Sequence, residues 1–405
     1  MTDGVPLASR AARTVPPLTV TRYTGVNCLG RGVDPWWAAL RERRSGLAAC
    51  DFEDAVLDTF IGRVAGVEDV ALPEQLAAFD CRNNRLAWLG LAHDGFRAAV
   101  LSACERHGPR RIAVIMGTST SGVLSTERAY QHRDPGTGAL PADFRFAETQ
   151  STFSLAAFVR AALGLEGPAH VVSTACSSSA KVFASAARMI EAGFADAAVV
   201  GGADSLCLTT LYGFRALELL STAPCRPYDA ERNGISIGEG AGFALLERSG
   251  PGPVLAGVGE SCDAYHMSTP HPEGLGARLA MERALAAGGL APAAVDYVNL
   301  HGTATRTNDV AEGRAVHDVF GPRTPASATK GAHGHLLGAA GITEAIVALL
   351  ALERGFLPRT ANTRTLDVET ACRVLIEGEQ AAPRCVLSNS FGFGGNNCSV
   401  IFGRA

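Results

Sequence analysis

Short apolar runs alternate along this chain with longer stretches in which apolar residues return every three or four positions. The runs RIAVIMG (111–117), HVVSTA (170–175), DAAVVGG (196–202), GFALLE (242–247) and VDYVNLHG (295–302) have the length of buried strands. Between them, RLAWLGLAHDGFRAAVLSACERHG (85–108) and ARLAMERALAAGGL (277–290) carry helical spacing. The alternation predicts an α/β fold with helices packed on sheets. The longest apolar stretch, ITEAIVALLALERGFL (342–357), carries charges and predicts an amphipathic helix, so no membrane span is expected. No linker or low-complexity segment divides the chain. A soft boundary follows LLERSGPGPVLAG and gives halves 1–255 and 256–405. No short repeat is visible, which leaves open a structural repeat between the halves.

Composition narrows the function classes. With 405 residues, 47% of them hydrophobic, the chain can bury a large core. A net charge of −4 gives no global basic field for nucleic acid, so an anionic partner has to meet a local patch. The 11 cysteines are odd in number, and the closest are 13 apart, as in Cys372, Cys385 and Cys398. That spacing predicts neither a zinc site nor a disulfide framework, and suits a reducing cytoplasm. The N-terminal MTDGVPLASRAARTVPPLTV has no continuous apolar core, so no signal peptide is expected.

One cysteine stands apart. In VVSTACSSSAKVFASAARMIEAG (171–193), an apolar run ends at small residues, and a helical pattern through Ala180, Phe183, Ala186 and Ile190 follows. Cys176 is thus expected at a strand-to-helix turn, where free N–H groups and the helix dipole favour thiolate over thiol. Small neighbours leave room for a substrate. The other ten cysteines read as structural. Three further segments carry chemistry. NLHGTATRTND (299–309) places His301 at the end of a strand, and SATKGAHGHLLGAAG (327–341) supplies Lys330 and His335 before a helix. LSNSFGFGGNN (387–397) is a Gly-rich loop able to approach a ligand closely. Lysine occurs only at 181 and 330, against 34 arginines, which suggests a role at Lys330 that arginine cannot fill. A thiol with two histidines suits acyl transfer. Histidines 93, 107, 132, 170 and 317 read as structural, and His335 is favoured over its neighbour His333. No GxSxG elbow supports a serine hydrolase, and no GxGxxG or P-loop spacing implies a nucleotide cofactor.

These segments resemble the β-ketoacyl-[acyl carrier protein] synthases of thiolase fold, in the elongating branch with a Cys-His-His triad. TACSSSA, CRPYDAERNGISIGEGAG (225–242), DAYHMSTPHPEG (263–274), HGTATRTND, ATKGAHGHLLGAAG and NSFGFGGNN occur in the family's order and at about its spacing, over most of the chain. The resemblance implies two similar βαβαβ-type halves in a layered α-β-α-β-α arrangement. It implies that Cys176 takes an acyl chain as a thioester and that His301 and His335 assist decarboxylation of malonyl carrier protein. Lys330 and Glu344 would orient the histidines. The N–H groups of Cys176 and Phe393 would form an oxyanion hole, with Phe393 as a gate. Thr303 and Thr305 would contact the phosphopantetheine arm, and Thr120, Phe391 and Gly394 would line the substrate path. Asn299, Glu344, Ser388 and Asn397 match positions that in some relatives surround a monovalent cation; no other metal and no cofactor is expected.

The chain also departs from the family pattern. GAH stands where serine-methionine-threonine is usual, Arg306 follows HGTAT, and Thr120 falls where many relatives carry an apolar gate. FDCRNNRLAWLGLA, TACSSSAKVFASAARMIEAG and ERNGISIGEGAG look most like ketosynthases of aryl-polyene or xanthomonadin-type pigment pathways, with generic fatty acid or polyketide synthesis as the alternative. The resemblance implies an acyl carrier protein partner and a dimer, either a homodimer or a heterodimer with a ketosynthase-like subunit. Arg82 and Arg85, then Arg128 and Arg133, are the candidates for the basic patch that meets the acidic carrier. Two other readings remain. A thiolase acting on CoA esters wants a second catalytic cysteine before glycines, which neither Cys385 nor Cys398 has. A non-condensing partner subunit would lack the nucleophile, which is present.

Overall fold

A computed structural model describes residues 17–404. Most of the N-terminal stretch read for a signal peptide lies outside those residues. The strands that organise the molecule are β1 (Leu18–Asn27), β2 (Ile112–Gly117), β3 (Ala169–Val172), β4 (Ala197–Asp204), β5 (Gly240–Glu247), β6 (Val254–Cys262), β7 (Tyr297–Asn299), β8 (Pro325–Ser327), β9 (Arg373–Val374), β10 (Cys385–Gly392) and β11 (Asn396–Gly403). They join into one continuous sheet in the order β9-β8-β7-β10-β11-β6-β1-β5-β4-β2-β3.

The order contains a repeat. In the first half, β1 pairs antiparallel with β5, β5 antiparallel with β4, and β4, β2 and β3 run parallel. In the second half, β6 pairs antiparallel with β11, β11 antiparallel with β10, and β10, β7 and β8 run parallel. Each half threads its five strands identically, and the second pattern opens at Val254. Only two residue pairs, Leu18 with Leu255 and Thr19 with Val254, stitch β1 to β6.

Helices fill three layers. On one outer face lie α1 (Arg82–Leu91), α2 (Phe96–His107) and α3 (Phe153–Ala162). On the other lie α5 (Leu275–Gly288) and α6 (Arg306–Phe320), following the central α4 (Ser178–Glu191) in the chain. Between the halves of the sheet pack α4 and α7 (Ala340–Arg354), with Phe183 and Ile346 in the same core as Val200 and Phe402. Reading across gives helix, sheet, helix, sheet, helix. The central layer explains why one expectation fails. The stretch at 342–357 is not amphipathic in place, because every residue from Ala340 to Leu352 is buried. Glu344 enters this helix paired to a lysine rather than facing water. The pattern at 85–108 also divides. Asp94 (φ 54°) and Gly95 (φ 68°) break it, and the Asp94 carboxylate accepts from Thr24 Oγ1 and Val33 N, tying the break to β1. No helix among the described residues is long and apolar enough to cross a membrane.

The two central helices meet at their N-termini. Ile342 N–H donates to Ser179 Oγ at 2.9 Å. A Cβ on Gly341 would lie 2.4 Å from the Ala180 backbone nitrogen, so only glycine permits the approach. Alanine favours a helix over glycine by about 1 kcal/mol. Gly341→Ala is nevertheless expected to destabilise the protein by about 1–3 kcal/mol, because the clash falls on backbone. Chemical denaturation checks the sign.

Candidate active site

Cys176 sits where β3 turns into α4. The turn is tight: Ala175 takes a left-handed backbone (φ 52°), Ser177 caps the helix, and Thr174 N–H donates to Ser178 Oγ. The glycine loop 392–395 lies directly on this turn. A Cβ on Gly392 would come within 2.7 Å of the Thr174 carbonyl, so a glycine there lets the loop close on the thiol. This turns the Phe393 N–H toward the Cys176 sulfur, where it favours the charged form.

The two histidines arrive from the second half of the chain. His335 Nε2 lies 3.1 Å from Cys176 Sγ, and the rings of His301 and His335 stand edge-to-face with centroids 5.4 Å apart. The reactive atoms of Cys176, His301 and His335 all fall within 4.8 Å of one another, and all three residues are buried. The far nitrogens settle their protonation. His335 Nδ1 accepts the Leu337 N–H at 3.2 Å, and His301 Nδ1 lies 3.2 Å from the Lys330 ammonium. With Nδ1 an acceptor in both rings, Nε2 carries the proton in both, and both N–H groups point into the site. A metal needs bare Nε2 nitrogens and an acceptor behind each ring, so this donor set does not fit one. Burial and the Lys330 charge push both histidines well below the ordinary imidazole range, which keeps them neutral hydrogen-bond donors.

Lys330 and Glu344 sit behind His301, fully buried. The ammonium donates to Glu344 Oε1 and to the His301 carbonyl. Burial pushes the Glu344 carboxyl up, against the pull of Lys330. A second carboxylate, Glu312, accepts the N–H groups of His301 (2.7 Å) and Gly302 (2.8 Å) together with the Tyr228 hydroxyl. Glu312 was not singled out from sequence; it lies on α6, one turn after the His301 motif ends. Asp263 was also missed. It accepts from Asn397 Nδ2 and from His271 N–H, and its own N–H donates to the Gly395 carbonyl, so it clasps the glycine loop.

His301, His335 and Asp263 line a cavity of about 280 Å³ with Cys176, Phe391, Phe393, Thr303, Thr305 and Gly394 in its wall. The hydroxyls of Thr303 and Thr305 are 2.9 Å apart, and Phe393 rests against Phe214 at 5.7 Å. No other cysteine lines it among the described residues.

Several expectations need correction. Burial pushes the Cys176 thiol up to about 12; the Lys330 charge and the Phe393 N–H counter it but do not prevail. The helix N-terminus therefore does not leave a resting thiolate, because desolvation of a charge outweighs partial dipoles. Thr120 does not line the cavity: it is buried, and its hydroxyl bonds Asp204 at 2.9 Å. Asn299 and Ser388 are register partners on β7 and β10, whereas Asn397 is held by Asp263 at the cavity and does not join them. Asn299 Oδ1 and Glu344 Oε2 are buried acceptors without partners, which fits a small cation or water near Asn299 and Ser388. Arg82 is unavailable to any carrier. It is buried in an ion pair with Glu239 and reaches Glu68 at 2.6 Å. Arg85 pairs with Asp80 and Arg128 with Glu53. Arg133 is exposed and stays open to a carrier. His333 is buried away from the thiol, bonded to Thr329 and Gly334, and burial lowers it to about 3.

The family description for the β-ketoacyl synthase N-terminal domain matches residues 17–250, and that for the C-terminal domain matches residues 253–364. The chain belongs to the β-ketoacyl synthase family. This synthase is 34% identical to nodulation protein E of Rhizobium meliloti (strain 1021), over 95% of this chain and 98% of the relative. It is 32% identical to the mitochondrial 3-oxoacyl-[acyl-carrier-protein] synthase of Arabidopsis thaliana, over 95% and 92%. The structure of the ketosynthase ApeO in complex with its chain length factor ApeC, from Xenorhabdus doucetiae, matches with a TM-score of 0.88 and 39% identity, covering 96% of this chain and 98% of that one. The ishigamide ketosynthase/chain length factor matches with a TM-score of 0.86 and 26% identity, covering 97% and 100%. The five-layer arrangement is the thiolase fold, and the chain is an acyltransferase of this family.

The thiol's raised pKa sets a pH dependence for this synthase. Thiolate fraction grows with pH while pH is below the folded pKa, so alkylation of Cys176 by iodoacetamide is expected to speed up roughly tenfold per pH unit from about pH 6 to about pH 9, without a plateau. Rates followed by intact-protein mass spectrometry check this; a plateau below pH 8 contradicts it.

Proposed function

We propose that the chain catalyses decarboxylative Claisen condensation of a malonyl group with an acyl chain held on Cys176, both delivered on the phosphopantetheine of an acyl carrier protein. The observation that carries this reading is the convergence of one thiol and two Nε2–H donors at one end of a single cavity. Cys176 attacks the acyl thioester. The oxyanion that forms takes hydrogen bonds from the N–H groups of Cys176 and Phe393, donors of a kind worth about 3–4 kcal/mol each. The thiol's proton leaves with the carrier thiol. Malonyl carrier then enters along Thr303 and Thr305, and its thioester oxygen accepts from His301 and His335. Carbon dioxide departs, and the enolate's charge rests on that oxygen. Its carbon attacks the Cys176 thioester, the carbon–sulfur bond breaks, the departing sulfur takes a proton from water to become the thiol again, and the β-ketoacyl carrier leaves. Neutral histidines suit this sequence, because it needs donors to a developing enolate and no proton removed by a histidine.

The pathway reading follows the residues that resemble aryl-polyene-type ketosynthases, and the likeness to ApeO supports it. The partner reading rests on two features. The edge strand Ala169–Val172 is half-buried and bonded on one side only, which suits continuation of the sheet into a second ketosynthase-like subunit. Arg215 and Arg306 are exposed and form no ion pair among the described residues, and each adjoins cavity-lining residues; they replace Arg82 as candidates for carrier contact. Unpaired cysteines throughout suit a reducing compartment such as the cytoplasm. No cofactor is required by the chemistry.

Incubation with a panel of saturated, polyenoyl and aryl-polyenoyl carrier proteins, read by intact-protein mass spectrometry, tests the reading. A thioester adduct on wild type and none on Cys176→Ala is expected, with the best-loaded chain naming the pathway. Absence of any adduct, alone and with a chain-length-factor subunit, contradicts it.

A further inference from the structure

One buried carboxylate close to the site has no part in the chemistry above. Asp204, at the end of β4, is wholly buried and forms no ion pair among the described residues. Its two oxygens accept from six donors. Oδ1 takes the hydroxyls of Thr118 (2.6 Å) and Thr120 (2.9 Å) and the N–H groups of Ser119 (2.8 Å) and Thr120 (2.9 Å). Oδ2 takes the Ser119 hydroxyl and the Gly338 N–H. The Gly338 N–H also reaches Ser119 Oγ at 3.3 Å.

Those donors come from two segments that flank the reacting thiol. Thr118 to Ser121 form the turn after β2. Gly117, just before it, is packed so closely on α4 that a Cβ there would lie 2.4 Å from Ser179 N, three residues past Cys176. Gly338 ends the stretch that begins with His335, within which Leu337 N–H sets the His335 tautomer. Both segments hold a non-glycine residue in the left-handed region, Ser121 at φ 46° and Leu337 at φ 49°. Such conformations persist only where surroundings enforce them. The joint is also full: a Cβ on Gly338 would meet Asp204 Oδ2 and Ser119 N, both at 2.8 Å.

We propose that Asp204 is a positioning residue of the condensation, which clamps the His335 segment to the turn beneath Cys176 and so holds the His335 Nε2–H on the reacting atoms. It acts through backbone donors and touches no substrate. The inference rests on the condensing-enzyme reading.

Asp204→Asn keeps the side chain's shape but cannot accept from every donor, since an amide NH2 faces other N–H or O–H groups. It is expected to lower kcat for condensation by about ten- to a hundredfold, the cost of a misplaced catalytic group. KM for malonyl carrier is expected to stay within about twofold. Alkylation is expected to stay confined to the cysteines that react in wild type, whereas a general loss of fold would expose the buried cysteines and let them react as well. Ser119→Ala, on an exposed residue, removes the hydroxyl that bridges Asp204 and Gly338 and is expected to lower kcat in the same direction by a smaller factor. Histidine labelled with 15N gives a readout independent of turnover: the single Nε2–H tautomer of His335 in wild type is expected to become mixed in Asp204→Asn. Condensation by Asp204→Asn at the wild-type rate with an unchanged His335 signal overturns the proposal. If that variant does not fold, an unchanged rate and signal in Ser119→Ala overturn it. Wild type that makes no β-ketoacyl product sinks the condensing reading instead, and the histidine signal then still decides the role of Asp204.

Discussion

Among the described residues, the Lys330 ammonium is the cationic side chain held directly behind the reacting groups, and the rest of the site is arranged around it. It is buried with Glu344, whose carboxylate offsets its charge, and it donates to both the ring and the carbonyl of His301. Removing one member of such a buried pair typically costs about 3–5 kcal/mol, because the other is left uncompensated. In return the pair sets a local field. Burial and, after it, the positive charge keep both imidazoles unprotonated, and the charge favours the Cys176 thiolate against the burial that disfavours it. A bulkier guanidinium presents a fork of fixed donors rather than one compact ammonium aimed at three acceptors. The scarcity of lysine elsewhere in the chain makes the position conspicuous.

That arrangement depends on the repeated halves. Each supplies a buried helix to the central layer, and the two helices meet at their N-termini through Gly341, Ala180 and the Ser179–Ile342 bond. The nucleophile precedes one of these helices and His335 precedes the other. The repeat therefore places a thiol from one half 3.1 Å from a histidine of the other, although 159 positions separate them in the chain. Carboxylates then brace the loops from behind. Glu312 holds the His301 turn, Asp263 holds the glycine loop, and Asp204 joins the turn under the thiol to the His335 segment. Glu312 and Asp204 do so by accepting backbone N–H groups, and Asp263 by donating its own N–H to the Gly395 carbonyl, so the loops are held at their main chain and side chains facing the cavity stay free for substrate.

Much of this was legible in the sequence. The strands at 112–117, 197–204 and 240–247 follow the apolar runs, because strands buried on both faces need no polar alternation. Cys176, His301, His335, Lys330 and the loop 391–395 stood out because small residues and glycines crowd around a few reactive ones, a pattern that a packed core does not require. The misreadings share a cause. Arg82 looked like a surface charge, Thr120 like a gate and the 342–357 helix like an amphipath, since each was judged without the partners it meets in the fold. In the fold, partners distant in the chain satisfy them: Glu239 for Arg82, Asp204 for Thr120 and Lys330 for Glu344.

The sequence by itself determined the element types, the thiol and its two histidines, and the family to which they belong. Local spacing and residue chemistry carry that information. Only the tertiary structure decided the protonation of the site. Desolvation depends on everything packed around a group, so the helix that was expected to lower the Cys176 pKa is outweighed by burial. The histidine tautomers likewise follow from donors at Leu337 and Lys330 that only the folded chain aims at Nδ1. The bracing carboxylates belong to the same class. An acidic residue in a sequence looks like solvated surface until the fold shows six donors converging on it, as they do on Asp204.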